Sequence, residues 1–159
     1  MIPLRFGLAA GAALLAAGAV AASPATGAPS APATLKNINA TANVLSRRFM
    51  DALGPGAKAE ARLRAFVSPA FIIQRNDGTR SGWPAYLTTH PIITDYAFTI
   101  ARAQYRAPVM TVVVAISRTT QLVNGQPVVS APAANLASYV WTPRGWQITA
   151  YASFDAVPT

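Results

Sequence analysis

The stretch Tyr139–Phe154, YVWTPRGWQITAYASF, decides how the rest of the chain is read. Thr142-Pro143-Arg144-Gly145 puts proline second and glycine fourth in a turn, which suits a type I turn closing into a bulge. Beyond the turn, Trp146, Ile148, Ala150, Ala152 and Phe154 alternate with Gln147, Thr149, Tyr151 and Ser153. That period of two predicts a strand with one buried face, and it assigns the first set to that face.

Working upstream, the β signal continues. Gln126–Trp141 reads as a strand interrupted and bulged at Pro132, and Asn124-Gly125 before it is the strongest short hairpin signal in the chain. Val109–Leu122 contains MTVVVAI, apolar on both faces as a central strand is. Thr94–Tyr105 precedes it, with Tyr96, Phe98 and Ile100 on one face and Ala97, Thr99 and Ala101 on the other. Phe71–Arg75 is a shorter strand ended by Asn76-Asp77-Gly78, and Ser81 is placed to cap a short helix through Tyr86 and Leu87.

The N-terminal third is helical. Ile38, Ala42, Leu45, Phe49 and Leu53 recur on one helical face, and Gly54-Pro55 supplies the stop. A second helix is expected over Ala57–Phe66, presenting Leu63 and Phe66. Before these, Arg5 followed by the uncharged run Leu8–Val20 and the small residues Ala19–Ala22 reads as a secretory signal over residues 1–22. Residues 23–34 hold only Ser, Pro, Ala, Thr and Gly and are expected to be a tether, leaving one domain over 35–159. The membrane enters this reading only through the signal, during export to the periplasm or the medium.

Helices first and long hairpin-linked strands after predict an α+β fold, with a strongly curved antiparallel sheet wrapped around the N-terminal helices. The order of elements, the segment FIIQRNDGTRSGWPAYL and the ending YVWTPRGWQI resemble the nuclear transport factor 2-like (NTF2-like) superfamily. Within it, the chain is similar to small secreted bacterial proteins of the SnoaL-like and DUF4440 groups, from about Leu35 to Phe154. The resemblance implies a cone with a pocket between sheet and helices, often paired into a dimer through the sheet. It implies no particular activity, because the superfamily holds isomerases, cyclases, dehydratases and non-enzymes alike.

Composition narrows the chemistry. The chain has no cysteine and one histidine, which excludes thiol chemistry and argues against a protein-only zinc site. No cofactor or metal is expected, and no phosphate loop or dinucleotide fingerprint is present. The net charge of +8 comes from scattered bases, 11 of 13 of them arginine, without the aromatic interleaving of a nucleic-acid surface.

Isomerases of the resembled fold use a carboxylate at the end of the strand before Arg80-Ser81-Gly82, but here that position reads Ile73-Gln74-Arg75. Dehydratases of the fold use a His–Asp pair, and His90 with Asp95 is the one pair of that kind here. The expected ligand pocket is apolar with phenols for orientation, formed by Phe71, Ile73, Tyr86, Tyr96, Trp146, Ile148, Ala150 and Ala152. Three functions remain open at this point: an exported binding or accessory module for a small apolar ligand or a peptide, a cofactor-free lyase or isomerase using His90 with Asp95, and a purely structural dimer with a filled cone. A homodimer through the outer sheet face is expected from the apolar Val109–Ile116.

Overall fold

The computed structural model describes residues 30–155. The expected signal and most of the expected tether therefore lie outside the described residues. Within the remainder of the tether, the Pro32 carbonyl accepts a hydrogen bond from the Tyr105 hydroxyl, so this part of the chain is pinned to the sheet.

Helix α1 (Ile38–Ala52) starts where Asn37 adopts an extended conformation and its side-chain oxygen accepts from the Ala40 amide at 2.8 Å. Ala42, Leu45, Ser46, Phe49 and Met50 form its buried face, followed by Leu53 just past its end. Helix α2 (Ala59–Phe66) buries Leu63 and Phe66, and Arg62 reaches back to donate to the Gly54 carbonyl at 2.9 Å. Among the described residues, no helix is long and apolar enough to cross a membrane.

The strands are β1 (Val67–Gln74), β2 (Arg80–Gly82), β3 (Ile92–Arg106), β4 (Val109–Val123), β5 (Gln126–Ser130), β6 (Ala133–Thr142) and β7 (Gly145–Asp155), with the short helix α3 (Tyr86–Thr89) between β2 and β3. They form one sheet in the order β2-β1-β7-β6-β4-β3, and β5 pairs with the far end of β4. The sheet curves around α1, helped by three irregularities in the β3–β4 pairing. Both hairpin turns carry the geometry that their residues require. Asn124 and Gly125 have φ of 52° and 78°, and Gly145 has φ of 90° with the Thr142 hydroxyl donating to its carbonyl.

Three expectations need correction. The sheet is mixed rather than purely antiparallel, because β1 runs parallel to β7, with a register break between Val67 and Ile72 that accommodates Pro69. Ser81 caps no helix. The turn at Asn76–Thr79, with Gly78 at φ of 81°, folds the chain back so that Ser81 pairs with Ile73 in a β1–β2 hairpin.

The third correction concerns β7. Its pairing with β6 shifts between Ser138 and Tyr139, where Ile148 opposes Tyr139 but Ala150 opposes Ser138. Thr149 is the extra residue, and it reverses the phase of the strand. Ile148 faces the core, whereas beyond the bulge Tyr151 and Ser153 face inward and Ala150, Ala152 and Phe154 face out.

Candidate functional site

The inward side of the sheet and the buried face of α1 leave a cleft of about 530 Å³. Its floor is set by register: Asn135 on β6 opposes Ser153 on β7, with the buried core residue Val114 of β4 on the other side of Asn135. The next row is Ile116, Ala133 and Asp155, so the small Ala133 side chain opens space above the sheet. Phe49, Met50 and Leu53 of α1 form the roof, and Ile73, Tyr86 and Ile93 close the sides.

The charged groups lie at the mouth. Arg75 donates to the carbonyl and hydroxyl oxygens of Thr89 at 3.1 and 3.2 Å, and Asn76 donates to Asp155 at 2.8 Å. Asp77, beside them in its turn, accepts from the Thr79 hydroxyl and amide, and these bonds hold its carboxyl below the usual carboxylate range.

The interior is neutral. Phe49 packs on Tyr151 at 5.0 Å between centroids, and Phe71 on Tyr86 at 5.2 Å. Burial pushes the Tyr86 and Tyr151 phenols well above their ordinary range, and Tyr139, near the Ser46 hydroxyl, up to about 12. A folded value raised above the unfolded one contributes stability fully below the unfolded value and loses it as pH rises through the folded value. For Tyr139 that window runs from 10.0 to about 12, so the protein is expected to lose stability on alkalinisation past pH 10. In a pH titration, the last phenolate absorbance should appear together with loss of near-ultraviolet circular dichroism. Complete phenolate formation in a still-native protein would contradict this placement.

The expected pocket residues divide. Ile73 and Tyr86 line the cleft, and Phe71 is buried directly behind Tyr86. Ile148 is fully buried and contributes to the core rather than to the cleft. Trp146 sits with Trp141 and Tyr105 in an edge-to-face cluster at centroid distances of 5.5 and 5.8 Å, away from the cleft. Tyr96 lies on the other side of α1, donating to Asp51 at 2.6 Å and stacking on Phe98. Ala150 and Ala152 are on the outer sheet face beside Ile72 and Leu136. The alanine that opens the space is Ala133, and the phase shift at Thr149 is the reason.

The alternative pair is not assembled. His90 Nδ1 lies 2.9 Å from the Pro91 carbonyl and its ring packs on Tyr86, while Asp95 forms an exposed ion pair with Arg118 at 2.6 Å. Among the described residues, no group of three His, Cys, Asp or Glu side chains gathers where a metal ion could sit.

Asn135 and Tyr151 were not anticipated as site residues. Asn135 did carry a signal, since it shares strand parity with the core residues Ala137 and Tyr139. Tyr151 carried none, because its direction depends on the bulge.

No protein-family model and no curated protein sequence matches the chain. Solved structures do. An NTF2-like protein of unknown function in nutrient uptake from Rhodospirillum rubrum aligns at TM-score 0.62 and 13% identity, covering 72% of this chain and 98% of that one. An NTF2-like protein from Cytophaga hutchinsonii aligns at TM-score 0.62 and 10% identity, covering 76% and 99%. A CaMKII hub from S. rosetta aligns at TM-score 0.53 and 11% identity, covering 77% and 100%. The chain has the NTF2-like fold.

Proposed function

We propose that this NTF2-like domain is an exported accessory module that binds a small, mostly apolar molecule in the cleft between α1 and the sheet. The observation that carries the reading is the distribution of groups in the cleft: apolar side chains and uncharged hydroxyls inside, charges at the mouth. Such a site binds by burial and a few hydrogen bonds, and offers no strong base. The rival lyase or isomerase reading needs His90 and Asp95 together, and each is committed to a different partner. Export rests on the leader pattern of residues 1–22.

The module acts as a homodimer in this reading. The outer sheet face carries Ile72, Leu136 and Phe154, exposed by 57%, 42% and 47%, with Ala150 and Ala152 between them in register. An apolar patch of this kind on a sheet suits a second copy of itself. That a domain of the same fold is a hub supports self-association as a use of the fold.

Native mass spectrometry of the protein expressed with its own leader tests the main claims together. The expected spectrum shows a chain beginning at Ala22 or Ser23 and a non-covalent small-molecule adduct that His90→Ala leaves unchanged. Retention of Met1 in a membrane fraction would overturn export, and an adduct lost in His90→Ala would restore the enzyme reading.

A further inference from the structure

The inner end of the cleft holds a buried acceptor that nothing in the protein satisfies. Asn135 is 2% exposed, in the middle of β6, and its Oδ1 has no hydrogen-bond partner among the described residues. Buried polar atoms are nearly always paired, because the water they give up has to be replaced. On its own strand Asn135 is flanked by Ala133 and Ala137, which carry no donor, the roof above is Phe49 and Met50, and the Ser153 hydroxyl opposite it in register makes no hydrogen bond to it.

On this reading of the cleft as a ligand site, we propose that Asn135 is the recognition residue of a subsite for an alcohol or phenol hydroxyl on an apolar skeleton. The hydroxyl donates its proton to Asn135 Oδ1. Its oxygen accepts from one of the hydroxyls of Ser153, Tyr151 or Tyr86, none of which makes a hydrogen bond within the described residues. A ligand hydroxyl, being donor and acceptor at once, meets both needs.

A carboxylate can accept from those hydroxyls but has no proton to give Asn135 Oδ1. It would set its lone pairs against Asn135 Oδ1, in an interior whose phenols stay protonated, with the Arg75 guanidinium held at the mouth by Thr89. The subsite therefore selects neutral hydroxylated ligands over anions of the same shape.

Calorimetric titration with three matched probes tests this: 2-naphthol, 2-methoxynaphthalene and 2-naphthoate. The protein is expected to bind the naphthol about tenfold tighter than its methyl ether, the difference of one buried hydrogen bond, with the naphthoate weakest. Asn135→Leu, which removes the acceptor at similar volume, should bring naphthol down to the ether's affinity and leave the ether unchanged. Because that variant also removes an unmet polar atom, its thermal midpoint should equal or exceed that of the parent.

Should the variant fail to fold, the Asn135 side-chain amide resonances of the parent decide the matter. They should move with the naphthol and stay still with the ether. Equal affinity for naphthol and ether with unmoved resonances overturns the subsite while leaving the cleft a binding site. If none of the three probes binds, the cleft reading falls and the subsite falls with it.

Discussion

Phe49→Ala is expected to remove about 3–5 kcal/mol of stability, a large share of the roughly 5–15 kcal/mol that holds a domain of this size together. The ring is 1% exposed and packs at 5.0 Å on Tyr151 and 6.1 Å on Phe71, so it joins α1 to both β7 and β1. Truncating it loses the transfer energy of the ring and leaves a void that the curved sheet cannot collapse to fill. The lower end of the range is favoured, because the new space opens into the existing cleft, where water can enter. Urea unfolding measures the loss. Phe49→Leu should cost about 1.5 kcal/mol or less, since most of the contact survives. A loss below about 1 kcal/mol for the alanine variant would mean that α1 is not the roof of this core.

Ala133→Trp should lower affinity for the cleft's ligand by about ten- to a hundredfold, the cost of about 1–3 kcal/mol for forcing an indole into occupied space. Ala133 lies on the cleft floor in register with Ile116 and Asp155, near enough to the mouth for the indole to enter without breaking the core. Ala150→Trp makes the matched control. Its side chain is on the opposite face of the sheet, so ligand binding should persist while self-association weakens. Ligand retention and sedimentation on both variants separate the two faces. Loss of ligand in Ala150→Trp with retention in Ala133→Trp would invert the assignment of the faces.

That pair of variants marks where the sequence was legible and where it was not. Asn124-Gly125 and the glycine at 145 wrote their turns directly, because only certain residues take positive φ at low cost. The face of α1 was equally plain, since Ala42, Leu45, Phe49 and Leu53 recur at helical spacing and all four are buried. The lining of the cleft was harder to read. Ala150 and Ala152 have the parity of Ile148, and only the non-local pairing of β7 with β6 inserts the extra residue at Thr149. The parallel seam between β1 and β7 joins residues far apart in the chain, so no local pattern announces it. Tyr96 looked like a pocket phenol for the same reason. Its partner Asp51 lies 45 residues away in the chain, on the far side of a helix.

Phe49, Met50 and Leu53 belong to the hydrophobic core and to the wall of the cleft at once. Folding and ligand occupancy are therefore two readings of a single equilibrium. A molecule that fills the cleft binds the native chain and not the unfolded one, so at a hundred times its dissociation constant it adds about 2.7 kcal/mol to the folding free energy. On the proposed reading of the cleft as a ligand site, the surrounding concentration of that molecule would, by mass action, set how much of the protein survives proteases acting on its unfolded form.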